Sequence, residues 1–179
     1  MLLEKRTVTY FKQRGKENTE EVCRIVAERL SEGDIQAVAV ATSTGFTALK
    51  MAEAVPIGTR VYAVNFQSSY WDKYTKPDEE LQRKAEKLGV VFMPEKPVAK
   101  YLREVAGHSP DSLRLLGQGM KVAVEVVMQA VEVGHIHTGS KAIGVGGSSR
   151  GADVAIVAKA AGPDELNKLS VSEILAKVR

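Results

Sequence analysis

Apolar residues recur at helical spacing between Asn18 and Leu30, where Val22, Ile25, Val26 and Leu30 mark one side of a predicted amphipathic helix. Asn18 or Thr19 stands at its cap, and Glu21, three residues after Asn18, completes the pattern of a capping box. Ser31 to Asp34 ends it, and Ile35 to Ala41 follows as a short apolar run bounded by turn residues, the signature of a strand buried on both faces. Ala48, Leu49, Met51, Ala52 and Ala54 then predict a helix that stops before Pro56, and Thr59 to Val64 reads as a second strand. Pro77 opens a helix carrying Leu81, Ala85 and Leu88 and closed by Gly89, after which Val90 to Met93 is a third strand.

The second half continues the alternation. Pro97 to Leu116 predicts one or two short helices broken around Gly107 to Pro110. In Met120 to Val133, Val122, Val124 and Val126 alternate as in a strand, but the run is too long without a turn signal, and length favours a buried helix. Lys141 to Gly146 is a fourth strand. Val154 to Ala158 follows too closely for a helical crossover, so it returns antiparallel at the sheet edge. A short terminal helix from Ser170 or Ser172 to Val178 is expected to complete one doubly wound α/β domain spanning 1–179.

Composition changes this picture little. The 179 residues are 44% hydrophobic and 26% charged, ordinary globular values that argue against disorder or a fibrous repeat. The net charge of +3 is spread along the chain rather than gathered in a stripe, which argues against a nucleic-acid partner. No signal peptide and no run long enough to span a bilayer is apparent, so a cytoplasmic protein without membrane contact is expected. Cys23 lies among helical apolar positions and reads as a small buried hydrophobe.

Candidate chemistry gathers at two loops. Thr42-Ser43-Thr44-Gly45-Phe46-Thr47 joins a buried strand to a helix, aiming unpaired amides, the positive end of the helix dipole and several hydroxyls at one place, as an anion site requires. Helix capping alone is the competing reading of the same residues. Gly146-Gly147-Ser148-Ser149-Arg150 follows the fourth strand; its glycines permit close backbone approach and Arg150 brings charge, with a simple tight turn as the alternative. The serine ending Gly144 to Ser149 and the missing helix after it exclude a dinucleotide fingerprint, and no GxxxxGK[ST] occurs.

The segment AVAVATSTGFTALKMAE resembles the effector loop of the pyruvate kinase C-terminal domain, in which a Ser/Thr-rich loop holds a sugar phosphate. KENTEEV, GQGMKVAVEVV and GVGGSSRGADVA extend the likeness to stand-alone archaeal proteins built from that domain alone. The resemblance implies a three-layer α/β/α sandwich with a mainly parallel five-stranded sheet, order 3-2-1-4-5, the last strand antiparallel. It implies phosphate-binding roles for Thr42, Ser43, Thr44, Gly45 and Thr47, with Phe46 standing where the family often has a basic residue. It also implies bound flavin mononucleotide (FMN), and kinase activity is excluded because the catalytic barrel has no counterpart here.

With that order, the first and fourth strands border the topological switch point, and the two loops face one crevice. Asn65, just past the second strand, and Gln118, opening the long helix, are further candidates to touch a ligand. Phe66, Tyr70, Trp71 and Tyr74 are either rings to cover a flavin or the packing of a long loop. Lys121 and Glu125 read as a solvent-side ion pair, and His135-Ile136-His137 as a surface turn rather than a metal site. The expected function is binding of a phosphate-bearing small molecule, FMN first, with flavin redox chemistry if the protein is an enzyme. The alternative is a non-enzymatic sensor of a sugar phosphate or similar metabolite, and self-association into a homo-oligomer is compatible with either.

Overall fold

The computed structural model describes residues 3–73, 75–94 and 110–179. The strands are β1 (Thr9–Phe11), β2 (Ala37–Ala41), β3 (Arg60–Val64), β4 (Val91–Phe92), β5 (Lys141–Gly146), β6 (Val154–Lys159) and β7 (Ser170–Val178). Among the described residues they form one mixed, mainly parallel sheet of seven strands, order β1-β7-β6-β5-β2-β3-β4. Only β6 runs antiparallel to its neighbours, β5 and β7. The five anticipated strands keep their relative order inside it, but the sheet extends past β6 through β7 and β1, so the expected five-stranded sheet ending at an antiparallel edge is corrected.

The terminal helix is the clearest misreading. Val171, Ile174, Leu175 and Val178 fall at helical spacing, yet Ser170 to Val178 is a strand paired with β6 and β1. In a strand, consecutive residues face opposite sides, and here both sides are covered: Leu175 enters one core while Ile174 packs against the other.

Helices α1 (Thr19–Leu30), α2 (Phe46–Ala54) and α3 (Glu79–Lys87) cover one face; α4 (Gln118–Glu132) covers the other. Strand β2 shows the division, since Val38 and Val40 join the α1–α2 core while Ala37 and Ala39 face α4. The α4 side of the central strands is built from small residues. A Cβ at Gly144 would stand 2.3 Å from the Ala123 carbonyl oxygen, and one at Gly146 would stand 2.4 Å from that of Gly119. Their absence lets α4, apolar around most of its circumference, lie against the sheet at backbone distance.

Two local expectations change. The Asn18 capping box does not form: the chain enters α1 through a 3-10 turn (Lys16–Asn18), Asn18 is already helical, and its amide donates to the Gln13 carbonyl at 2.7 Å. Helix α3 is capped instead by Asp78, whose Oδ1 accepts from the amides of Glu80 and Leu81. Of the segment predicted over 97–116, residues 95–109 lie outside the described residues, and Pro110–Leu116 is a 3-10 turn. No described helix is long and apolar enough to cross a membrane.

Candidate functional site

Strands β2, β3 and β5 are parallel, so the loops leaving them and the helices that follow start at one edge of the sheet. Helices α2 and α4 present their N-termini there, with the partial positive charge of unpaired amides. Helix α1 does the same, because the Thr19 hydroxyl in its first turn accepts the Ala152 amide of the β5–β6 loop at 3.1 Å.

In the β2–α2 loop, Thr42 is buried and its Oγ1 accepts the Gly45 amide at 3.0 Å, while Thr44 Oγ1 accepts the Phe46 amide at 3.3 Å. Gly45 has φ +102°, and a Cβ there would lie 3.2 Å from the Gln82 amide nitrogen. The glycine therefore both permits the turn and makes room for the first turn of α3. The next amides of α2, those of Thr47 and Ala48, have no acceptor among the described residues. Thr47 is 4% exposed, Ser43 and Thr44 are half-buried, and Phe46 lies partly open at the surface.

The β5–β6 loop is held by a residue that sequence reading missed. Asp153 is completely buried; its Oδ1 accepts both the amide and the hydroxyl of Ser148, at 2.9 and 3.1 Å. A Cβ on Gly119, in the first turn of α4, would stand 2.9 Å from that oxygen, so the carboxylate packs against the helix start. Asp153 Oδ2 has no hydrogen-bond partner among the described residues. Burial pushes this carboxyl above the usual aspartate range, against the pull of the Ser148 donors, the nearby Gly15 amide and the Arg14 charge. Since the folded form keeps its proton to higher pH, the stability contributed by this group is full below the unfolded value of about 3.9 and falls as pH rises through the folded one. A carbon-detected NMR titration should place the Asp153 midpoint above that of an exposed aspartate; a midpoint at or below 3.9 contradicts it.

Ser149 and Arg150 are exposed at the loop tip, and Gly147 lies against the Gly151 carbonyl, closing the turn. The two predicted loops are linked through a third segment, Arg14 to Thr19. Lys16 packs its backbone against Gly151 and extends its ammonium 3.9 Å above the centre of the Phe46 ring. A cation from a segment upstream in the chain thus stands over the first residue of α2. Neither Lys16 nor Arg150 forms an ion pair among the described residues.

Asn65 follows β3 directly, beside the loop where the Thr42 amide bonds the Val64 carbonyl, and its Oδ1 is buried without a partner among the described residues. Gln118 is exposed in the first turn of α4. Phe66 and Tyr70 stand at the surface, and the Trp71 indole donates to the Phe66 carbonyl at 3.0 Å; Tyr74 lies outside the described residues. Lys121 and Glu125 do pair, at 2.6 and 2.7 Å, but the expected solvent exposure is corrected: their side chains are 11% and 17% exposed. No group of His, Cys, Asp and Glu suited to a metal ion occurs among the described residues.

No family model matches the chain. Among solved structures it is similar to a putative O-methyltransferase from Klebsiella pneumoniae, at 12% identity and a TM-score of 0.34, over 70% of this chain and 55% of that one. The chain thus spans just over half the length of that protein. The resemblance to the pyruvate kinase C-terminal domain is corrected by these findings: no similarity to that domain is shown. The AVAVATSTGFTALKMAE segment is a strand–loop–helix junction of a kind that many α/β sheets contain.

Proposed function

We propose that the chain binds a phosphate-bearing small molecule at the edge where β2 and β5 end. The observation that carries this reading is the pair of α2 amides, Thr47 and Ala48, left without acceptors among the described residues, with the Lys16 ammonium over the ring of the preceding residue, Phe46. Unpaired first-turn amides and an adjacent cation are what an oxyanion needs, and Ser43 and Thr44 add hydroxyls at the same turn. The orphan Asn65 Oδ1 favours a ligand that also offers a donor, as a sugar phosphate or mononucleotide does through its hydroxyls.

FMN belongs to that class, but the family resemblance that singled it out no longer supports it. Nothing in the site assigns a catalytic group, so binding is the activity proposed.

Thermal-shift titration tests the reading with ribose 5-phosphate, FMN and unphosphorylated ribose. A phosphate ester should raise the melting temperature where ribose does not. Lys16→Ala should weaken that binding by about 1.5–3 kcal/mol, the range for hydrogen bonds to charged groups. Because Lys16 is exposed, the variant should melt like the parent in the absence of ligand. Equal shifts with ribose, or none with any phosphate ester at millimolar concentration, would refute the reading.

A further inference from the structure

We propose that the opposite edge of the sheet, where β2, β3 and β5 begin, carries a second binding site, for a small multiply charged anion such as phosphate or a dicarboxylate. A depression of about 310 Å³ opens there, lined by Gln36 ahead of β2, Arg60 at the start of β3, Lys141 at the start of β5, and His135 and His137 after α4. That volume is at the lower end for small-molecule sites.

The charge balance of the lining favours an anion. Asp34 is its one carboxylate, and Asp34 is already matched twice: Arg29 holds it at 2.7 and 3.2 Å, and Lys141 at 2.6 Å. Arg60 has no carboxylate partner among the described residues, so its guanidinium remains uncompensated in the wall. A guanidinium fork suits two oxygens of one oxyanion, which a lone ammonium does not.

His135 adds a donor from a fixed position, and His137 stands beside it. The His135 ring stacks on the buried Tyr62 ring, with centroids 4.7 Å apart and planes 7° from parallel. The α4 C-terminus, whose carbonyls would repel an anion, is closed off. The amides of Val133, Gly134, His135 and Ile136 bond the carbonyls of Gln129, Val131, Ala130 and Ala130 in turn. None of these residues takes part in the site at the other edge, so the two proposals stand or fall separately.

Two-dimensional amide NMR of the labelled full chain, titrated with inorganic phosphate and separately with succinate, tests the proposal. Saturable shifts are expected at Gln36, Arg60 and the 135–141 turn with at least one of the two anions. Arg60→Ala should weaken them at least tenfold, and His137→Ala should weaken them too, whereas Lys16→Ala should leave them unchanged. Arg60 and His137 are both exposed, and unshifted amides elsewhere report that each variant is folded. Absence of saturable shifts at this edge with both anions, or shifts that Arg60→Ala leaves intact, would overturn it. Phosphate shifts confined to 42–48 and 146–153, with no saturable succinate shifts at this edge, would overturn it while leaving the first site standing.

Discussion

Gly144→Ala should lower the free energy of unfolding by about 3 kcal/mol, the upper end for overpacking a filled core. The added methyl would meet the Ala123 carbonyl oxygen at 2.3 Å and the Val127 Cγ2 at 2.9 Å. The first obstacle is helix backbone and cannot rotate aside, so relief requires α4 to move off the sheet. That movement loosens the packing of Ala123, Val127 and Ala130 against β2 and β5. For a chain of this size the melting temperature should fall by roughly 6–12 °C. Gly162→Ala is the matched control: φ is −75° there, and the new methyl would meet only Val131 Cγ1, at an ordinary 3.6 Å. Thermal melts of the two variants decide the matter, and a Gly144→Ala protein as stable as the control would show that α4 yields cheaply.

The small-residue face behind that prediction also explains how far the fold was legible. Runs such as Ala37 to Ala41 and Lys141 to Gly146 announce strands because both faces are buried and turn residues bound them. The antiparallel return of β6 followed from the short link before it. What failed had a different origin. Ser170 to Val178 satisfies a helical spacing and a two-sided strand equally well, and only the presence of cores on both sides of β7 decides between them. Strand β1 has three residues and exists because β7 offers it an edge, so nothing within Thr9 to Phe11 could have announced it.

The candidate site divides in the same way. Thr42 to Thr47 and Gly146 to Arg150 are contiguous, and contiguous Gly, Ser and Thr between a strand and the next element can be read locally. Lys16 reaches the site through contacts between distant parts of the chain, such as that of Thr19 with Ala152, 133 residues apart, and the burial of Asp153 depends on the start of α4 packing over it. The ion pair of Lys121 and Glu125 was legible as a pair, since four residues is one helical turn, but its burial depends on what packs over α4.

Arg29→Ala should cost about 2–3 kcal/mol at neutral pH, and the loss should shrink in acid. Arg29 is 5% exposed and forks onto two carboxylates, Glu173 on β7 at 2.8 and 2.9 Å and Asp34 before β2 at 2.7 and 3.2 Å, with the Glu32 carboxylate 3.3 Å from its Nη1. It ties the end of α1 to a strand 144 residues away. Breaking a fully buried pair costs about 3–5 kcal/mol; here Glu173 is 18% and Asp34 38% exposed, so water can take up part of what the guanidinium leaves. Arg29→Lys should recover only part of the loss, since one ammonium cannot satisfy both carboxylates in the fork geometry. The acid dependence follows from Asp34, whose carboxyl is held well below the usual range first by Arg29 and then by Lys141. A depressed folded pKa means that the stability it confers is present above the unfolded value of about 3.9 and is lost as pH falls through the folded one. Denaturant titrations at pH 7, 5, 4 and 3 should therefore show the gap between parent and Arg29→Ala narrowing below about pH 4–5. A gap that stays constant down to pH 3 would mean that the guanidinium acts by filling space between α1 and β7, with its charge contributing little.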